Sequence, residues 1–138
     1  MKHLVGDVMT RDPFTLSCSA TIMSAAQVMR DADVGDVIVL DHGDAVGIVT
    51  DRDIVVRGLA AGCDLSTAVG EIASRNLATV APSDPIERAV TLMRKYAIRR
   101  LAVLENNLPV GIISIGDLAL TEDPGSALAD ISGAPATH

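Results

Sequence analysis

Aromatic side chains are almost missing from this chain: among 138 residues there is one Tyr, one Phe and no Trp. A core must therefore be assembled from Val, Ile, Leu, Ala and Met, and stacking platforms for nucleic-acid bases are lacking. Positive charge is also scarce, with 11 Lys and Arg against 18 Asp and Glu and a net charge of −7. A general nucleic-acid binder needs a basic surface, so that partner class is excluded. Apolar runs are short, none approaching the roughly 18–20 uncharged residues of a membrane span, so no membrane partner is expected. The N-terminal run Met1-Lys2-His3-Leu4-Val5-Gly6-Asp7 reaches an acid too soon for a secretory signal, and the expected compartment is the cytoplasm. Cys18 and Cys63 have neither CxxC nor zinc-finger spacing, which predicts reduced thiols rather than a bridge. No nucleophile–base pair, metal constellation or Walker-type loop is visible, so an enzyme is not expected and no cofactor is required.

What is present is a duplication. Sliding the chain by 64 residues aligns Val5-Gly6-Asp7-Val8 with Val69-Gly70-Glu71-Ile72, and Thr15 with Thr79. Without a gap the same shift aligns Ile22 with Ile86, Met29-Arg30 with Met93-Arg94, Val46-Gly47-Ile48 with Val110-Gly111-Ile112, and Asp53 with Asp117. The first copy is assigned to 1–62, a linker to 63–68 and the second copy to 69–122. The tail, 123–138, is expected to be partly disordered beyond the break at Asp123-Pro124-Gly125, with a helical turn or two at Ser126–Ser132.

Within each copy the pattern reads β-α-β-β-α. Phe14-Thr15-Leu16 is a short strand, and Ile22, Ala25, Ala26 and Met29 form the i, i+3, i+4, i+7 stripe of an amphipathic helix. Ile86, Ala89, Val90 and Met93 repeat it, with Asp84 read as N-cap, Pro85 at the first helical position and Glu87 completing a capping box. Val37–Leu40 and Ala45–Val49 are strands flanking the turn Asp41-His42-Gly43-Asp44. Leu101–Glu105 and Val110–Ser114 flank Asn106-Asn107. These strands are continuously apolar, which predicts burial on both faces. A second helix is expected over Asp53–Ala61, and a shorter one over Asp117–Thr121.

Each copy closes on a glycine, two β-branched residues, a hydroxyl, two spacers and an aspartate: Gly47-Ile48-Val49-Thr50-Asp51-Arg52-Asp53 and Gly111-Ile112-Ile113-Ser114-Ile115-Gly116-Asp117. A hydroxyl and a carboxylate three residues apart fit a helix capping box. The same pair can also hold a sugar, because a carboxylate accepting vicinal hydroxyls makes charge-assisted bonds. Repetition cannot separate the two readings, since duplicated structure duplicates its caps.

The tandem β-α-β-β-α repeat with this motif closing each copy resembles the CBS domain pair, or Bateman module. The run Thr50–Ala60 is similar to small stand-alone bacterial members, the actinobacterial hypoxic-response type among them. The resemblance covers residues 1–122. It implies an α/β fold of the α+β kind, with the CBS repeats packed about a pseudo-two-fold axis. It also implies a regulatory module that binds AMP, ADP, ATP or S-adenosylmethionine in clefts between the repeats. Carried over by position, the second-copy site is Ser114 and Asp117 with Thr79, Val80 and Ile98, and Arg99 and Arg100 supply counter-charge to a phosphate. The first-copy site is Thr50 and Asp53 with Thr15, Leu16 and Val34, and Arg52 is the candidate cation. Helix-start N–H groups would favour the anion. The family also implies a homodimer through the helices that follow the motifs; a downstream protein partner is not legible.

Two departures qualify the resemblance. The proline common in the family early in the strand after the first helix is absent from Val37-Ile38-Val39 and Leu101-Ala102-Val103. Gly35-Asp36 also stands where the second copy has Arg99-Arg100, so Asp36 would repel a phosphate that Arg100 attracts. The second-copy site is therefore expected to be the better nucleotide site. The alternative is a ligand-free dimeric interaction module, stress-associated and redox- or metal-responsive. His3, His42 and the terminal His138 are read as inert, and Met9, Met23, Met29 and Met93 as core fillers.

Overall fold

The structure, a computed structural model, describes residues 3–75 and 78–122. The tail with its expected helical turns and His138 lies outside them. The elements in order are α1 (Val5–Val8), β1 (Thr10–Arg11), β2 (Thr15–Ser17), α2 (Ile22–Ala32), β3 (Asp36–Asp41), β4 (Asp44–Thr50) and α3 (Asp51–Asp53). A π-helical segment Ile54–Leu59 and a 3₁₀ turn Val69–Glu71 follow. The second half continues with β5 (Thr79–Val80), α4 (Ile86–Tyr96), β6 (Arg100–Glu105), β7 (Leu108–Ser114) and α5 (Ile115–Glu122). The fold is mixed α+β, and the β-α-β-β-α order recurs.

The compact units do not coincide with the contiguous sequence copies. One unit gathers Met1–Arg11 with Ala78–Glu105 and the chain from Val110 onward; the other gathers Asp12–Leu77 with Asn106–Pro109. The leading turn of each copy thus packs in the unit built on the other copy.

In the unit carrying the first motif, the sheet order is β2-β3-β4. Strand β2 runs parallel to β3, with Thr15 opposite Ile38, and β3 is antiparallel to β4, with Asp36 opposite Thr50. A two-residue turn joins β3 and β4, with His42 and Gly43 both at positive φ. The expectation of two covered faces holds: Val37, Ile38 and Val39 are all buried. Val37 and Val39 join Ile22, Ala25 and Met29 of α2, Ile54, and Val69 and Ile72 of the 3₁₀ region in one core cluster. The α2 stripe forms as its spacing predicts, and Thr21 caps it, its Oγ1 accepting from the Ser24 N–H at 3.0 Å.

In the other unit the order is β1-β7-β6-β5, with β5 parallel to β6 and β1 antiparallel to β7. Leu101, Ala102 and Val103 are fully buried. Its core gathers Val5, Val80, Ile86, Ala89, Met93, Leu101, Val103, Ile113 and Leu118.

Three local expectations are corrected. Asp84 does not cap α4. Its Oδ2 accepts from the Ala81 N–H at 2.8 Å, closing the turn one step earlier, and Pro85 occupies the N-cap position. The Ile86 N–H, which has no acceptor within the helix, is met instead by the carbonyl of His3 at 3.2 Å, as the Ile22 N–H is met by Thr67. A tertiary strand contact thus does the work of a cap. The helix expected over Asp53–Ala61 starts at Asp51 and widens into a π-helix at Ile54–Leu59, where the Ala60 N–H reaches the Val55 carbonyl five residues back. The second helix is longer than expected, Ile115–Glu122.

Candidate functional site

In each unit the motif is a β-strand end turning into a helix, and the turn is closed by the motif's own side chains. The Thr50 N–H donates to Asp53 Oδ2 at 2.9 Å, and the Asp53 N–H donates to Thr50 Oγ1 at 3.1 Å. The second motif repeats this, with Ser114 N–H to Asp117 Oδ2 at 2.9 Å and Asp117 N–H to Ser114 Oγ at 3.2 Å. Both are reciprocal capping boxes, so the capping reading of the motif is established for both copies. All four side chains are half-buried.

The motif glycine has a packing cause. A Cβ on Gly47 would stand 2.5 Å from the Ser74 carbonyl oxygen, and one on Gly111 would stand 2.5 Å from Met9 Sδ and 2.8 Å from the Thr10 oxygen. Ser74 pairs with Ile48 through two backbone bonds, and Thr10 and Arg11 pair with Ile112 and Gly111. The glycine lets the leading segment of the opposite copy lie against the strand.

The remaining candidate residues gather around the same strand ends. The Asp51 N–H donates to the Gly35 carbonyl at 3.1 Å, and the Ile115 N–H donates to the Arg99 carbonyl at 2.9 Å. These bonds hold residues 34–36 and 98–100 against their motifs. Val34 and Ile98 are half-buried, and each closes the preceding helix, its N–H reaching the carbonyl of Met29 or Met93. Thr15 is exposed and Thr79 half-buried, two ladder positions away from Asp36 and Arg100 respectively. Leu16 is half-buried against its core. Val80 is 3% exposed and packs in the core of its unit. Arg52 and Arg99 are exposed, and Arg100 is half-buried.

The helix-start donors are largely engaged by the turn's own structure. The N–H groups of Thr50, Arg52 and Asp53 donate within the turn, Arg52 to the Asp51 carboxylate at 2.9 Å, and that of Asp51 donates to the Gly35 carbonyl. Those of Ser114, Ile115 and Asp117 are spent likewise. These donors are therefore taken up by the protein itself, and charge for an anion would come from side chains. On that count the copies differ sharply, because Gly35-Asp36 in one corresponds to Arg99-Arg100 in the other.

The thiols of Cys18 and Cys63 are free; Cys18 Sγ lies 3.7 Å from Asp41 Oδ1, and Cys63 Sγ lies 3.6 Å from the Arg57 carbonyl. Among the described residues, no group of three or more His, Cys, Asp or Glu is placed to hold a metal ion, and no helix is long and apolar enough to cross a membrane.

A family profile described as CBS domain matches residues 5–59 and 69–121. The chain is 41% identical over 132 residues to the CBS domain-containing protein YhcV of Bacillus subtilis, covering 93% of this chain and 94% of YhcV. It is 35% identical over 115 residues to hypoxic response protein 1 of Mycobacterium tuberculosis, covering 82% and 80% of the two chains. A crystal structure of a hypoxic response protein with two coordinated zinc ions matches with a TM-score of 0.75 at 32% identity, covering 84% and 96%. The CBS domain pair of protein MJ0100, in complex with 5′-methylthioadenosine and S-adenosyl-L-methionine, matches with a TM-score of 0.77 at 29% identity, covering 86% and 94%. With both copies matched and both motifs formed, the chain belongs to the CBS domain family, as a tandem pair and hence a regulatory module.

Proposed function

We propose that this chain senses an adenosine-containing ligand and signals through self-association, without catalysing a reaction. The observation that carries the reading is the preset carboxylate. Asp117 and Asp53 are each fixed by a backbone N–H at 2.9 Å, beside a Thr-bearing strand and a helix-closing aliphatic residue. A carboxylate has about four lone-pair positions, so a capping bond is compatible with accepting ribose hydroxyls. The complex of MJ0100 with two adenosyl compounds supports that ligand class.

Ligand preference follows from charge. The Ser114–Asp117 site, with Arg99 and Arg100, suits the phosphates of AMP, ADP or ATP, because guanidinium groups bind phosphate through paired donors. The Thr50–Asp53 site, with Asp36, suits an adenosyl group without phosphate, or one carrying a sulfonium such as S-adenosylmethionine. Self-association is assigned to the helices following the motifs, where Val55, Val56 and Leu59 are about half exposed. A cytoplasmic location completes the reading.

Calorimetric titration of AMP, ADP, ATP and S-adenosylmethionine tests it on the wild type, Asp117→Ala and Arg99→Ala. Arg99→Ala is expected to weaken the phosphorylated ligands about tenfold, the loss of one charge-assisted bond, and to leave S-adenosylmethionine unchanged. Absence of heat with all four compounds would refute the ligand class.

A further inference from the structure

Helices α4 and α5, both within one compact unit, enclose an apolar groove of about 170 Å³. Its walls are Val90, Met93, Ile98, Ile115 and Leu118, with Arg94 in the lining. Such a groove gains from being filled by apolar side chains. Connectivity, chemistry and the duplication all point to residues 126–132 of the same chain as the filling. Helix α5 lines the groove through Ile115, Leu118 and Ala119 and runs to Glu122, so the chain leaves the helix within about one turn of the groove wall. Pro124 and Gly125 then suit a helix stop and a reversal. The six residues from Glu122 to Leu128 can reach about 20 Å, roughly twice the 8–10 Å between packed helices. Leu128 and Ile131 are three residues apart, with Ala127 and Ala129 beside them. The stretch 123–132 carries Asp123 and Asp130 and no Lys or Arg, which complements Arg94 and the exposed Lys95 that follows it.

The duplication shows which place this segment cannot take. Residues 123–132 stand 64 positions after 59–68. In the first copy those residues turn at Gly62, φ 79°, and lie along the start of α2, where the Thr67 and Leu65 carbonyls accept from the Ile22 and Met23 N–H groups. The start of α4 is already served, since the Ile86 N–H donates to the His3 carbonyl. The place that Thr67 takes in the first copy is therefore closed to Ile131, while the groove beside α5 is an apolar surface still open to it. We infer that Leu128 and Ile131 of the chain's own 126–132 segment seat in the α4–α5 groove, with Arg94 facing its acidic side chains, as a removable cover. The tether decides the competition, because so short a link gives an effective concentration of about millimolar, far above that of a free partner at micromolar levels. A contact of only about millimolar strength is then about half occupied, and a partner using that face binds about twofold more weakly than it would to the bare groove. A cover favoured about tenfold weakens such a partner about elevenfold. Neither the adenosine nor the self-association reading is needed for this device.

Met93, one of five methionines in the chain, lines the groove, so its ε-methyl resonance reports the occupant. Methyl NMR on methionine-labelled protein, over a concentration series, compares the whole wild-type chain with the whole chain carrying Leu128→Asp and Ile131→Asp together. The double variant is expected to shift Met93 by the same amount at every concentration. Met23 and Met29 belong to the other unit and should stay in place, which checks that the fold is kept. A synthetic peptide of residues 123–138, added to the double variant, should return Met93 towards its wild-type position, with half the return at about millimolar peptide. A Met93 resonance that the double variant leaves unmoved overturns the inference. So does a failure of the peptide to move it, since the shift would then have arisen elsewhere. A wild-type Met93 resonance that changes with protein concentration would identify a second copy as the occupant and overturn the chain's own segment.

Discussion

Removing the Asp117 carboxylate separates what the motif does for the fold from what it does for a ligand. In Asp117→Ala the Ser114 N–H loses its acceptor at 2.9 Å, and Ser114 Oγ is left as a cap without its reciprocal partner. A capping side chain contributes about 1 kcal/mol, and a donor left unsatisfied in a half-buried turn costs about 1–3 kcal/mol. The sites overlap, so the sum is about 1–3 kcal/mol. For a chain of this size each kcal/mol moves Tm by roughly 3–4 °C, which gives a fall of about 3–12 °C. Asp53→Ala removes a box of nearly the same geometry, so its ligand-free melt should fall by a comparable amount. The ligand then distinguishes them. A nucleotide at about a hundred times its Kd stabilises by about 2.7 kcal/mol, a rise near 8–11 °C. That rise should vanish in Asp117→Ala and persist in Asp53→Ala, because only the second site is backed by Arg99 and Arg100. The assay is differential scanning calorimetry with and without AMP. Unchanged ligand-free melts in both variants would refute the capping argument, and equal loss of the AMP shift would refute the charge argument.

Three further outcomes follow from local geometry. Ala97 ends α4 at φ 53°, a left-handed conformation that costs a non-glycine residue about 1 kcal/mol, so Ala97→Gly should raise Tm by a few degrees. Gly47→Ala should destabilise by at least about 1–3 kcal/mol in chemical denaturation, because its Cβ meets a backbone oxygen. Gly111→Ala should cost somewhat less, since one of its two neighbours is the flexible end of Met9, and equal or reversed losses would contradict the packing account. Asp64 is held below the usual carboxylate range, chiefly by the Ser66 N–H donating to its Oδ1 at 3.1 Å. A depressed carboxylate pKa means the bond contributes above the unfolded-state value and is lost as pH falls through the folded-state value. An NMR titration should therefore show Asp64 protonating below an ordinary aspartate, and in Ser66→Pro, which lacks the N–H, its pKa should rise towards that value.

The sequence made the repeating element order legible because apolar period and duplication agree at every level, from the α2 and α4 stripes to the buried runs Val37–Val39 and Leu101–Val103. It also marked the motif residues, though not their first duty, since a capping box and a ribose grip use the same residue types. Less visible were features decided by contacts distant in the chain. Asp84-Pro85-x-Glu87 has the form of a capping box, but the backbone of His3 reaches the Ile86 N–H first and leaves Asp84 to close another turn. The assignment of Val5–Val8 and Val69–Glu71 to the unit of the opposite copy has no local signature apart from the glycines at 47 and 111, whose need appears only when the neighbouring backbone is in place. The π-helical widening at Ile54–Leu59 lies in a segment whose composition fits an α-helix equally well.

Duplication also tells where function should be sought. Selection for folding acts alike on both copies and keeps what both need: the caps, the motif glycines, the helix stripes and the buried strands. None of these shared features can distinguish the ligand of one copy from that of the other or orient a partner, because both copies carry them alike. The informative positions are those where equivalent residues have parted company. Gly35-Asp36 against Arg99-Arg100 sets the charge at the motif, and Asp51 against Ile115 sets the polarity at the start of the following helix. The first pair lies at a strand end held to its motif by a backbone bond of 2.9–3.1 Å, so a ligand that alters the charge there acts directly on the turn that launches the helix. In one copy that helix carries the exposed Val55, Val56 and Leu59, and in the other Ile115 and Leu118 line an apolar groove with α4. Under the proposed function, ligand state and association would be linked through that turn, and linkage requires the effect to be reciprocal. Nucleotide should shift the monomer–dimer equilibrium by the same factor by which dimerisation shifts nucleotide affinity, and sedimentation with and without AMP, set beside calorimetry at two protein concentrations, measures both factors. A factor of one in both measurements would refute the proposed coupling, whatever the individual affinities.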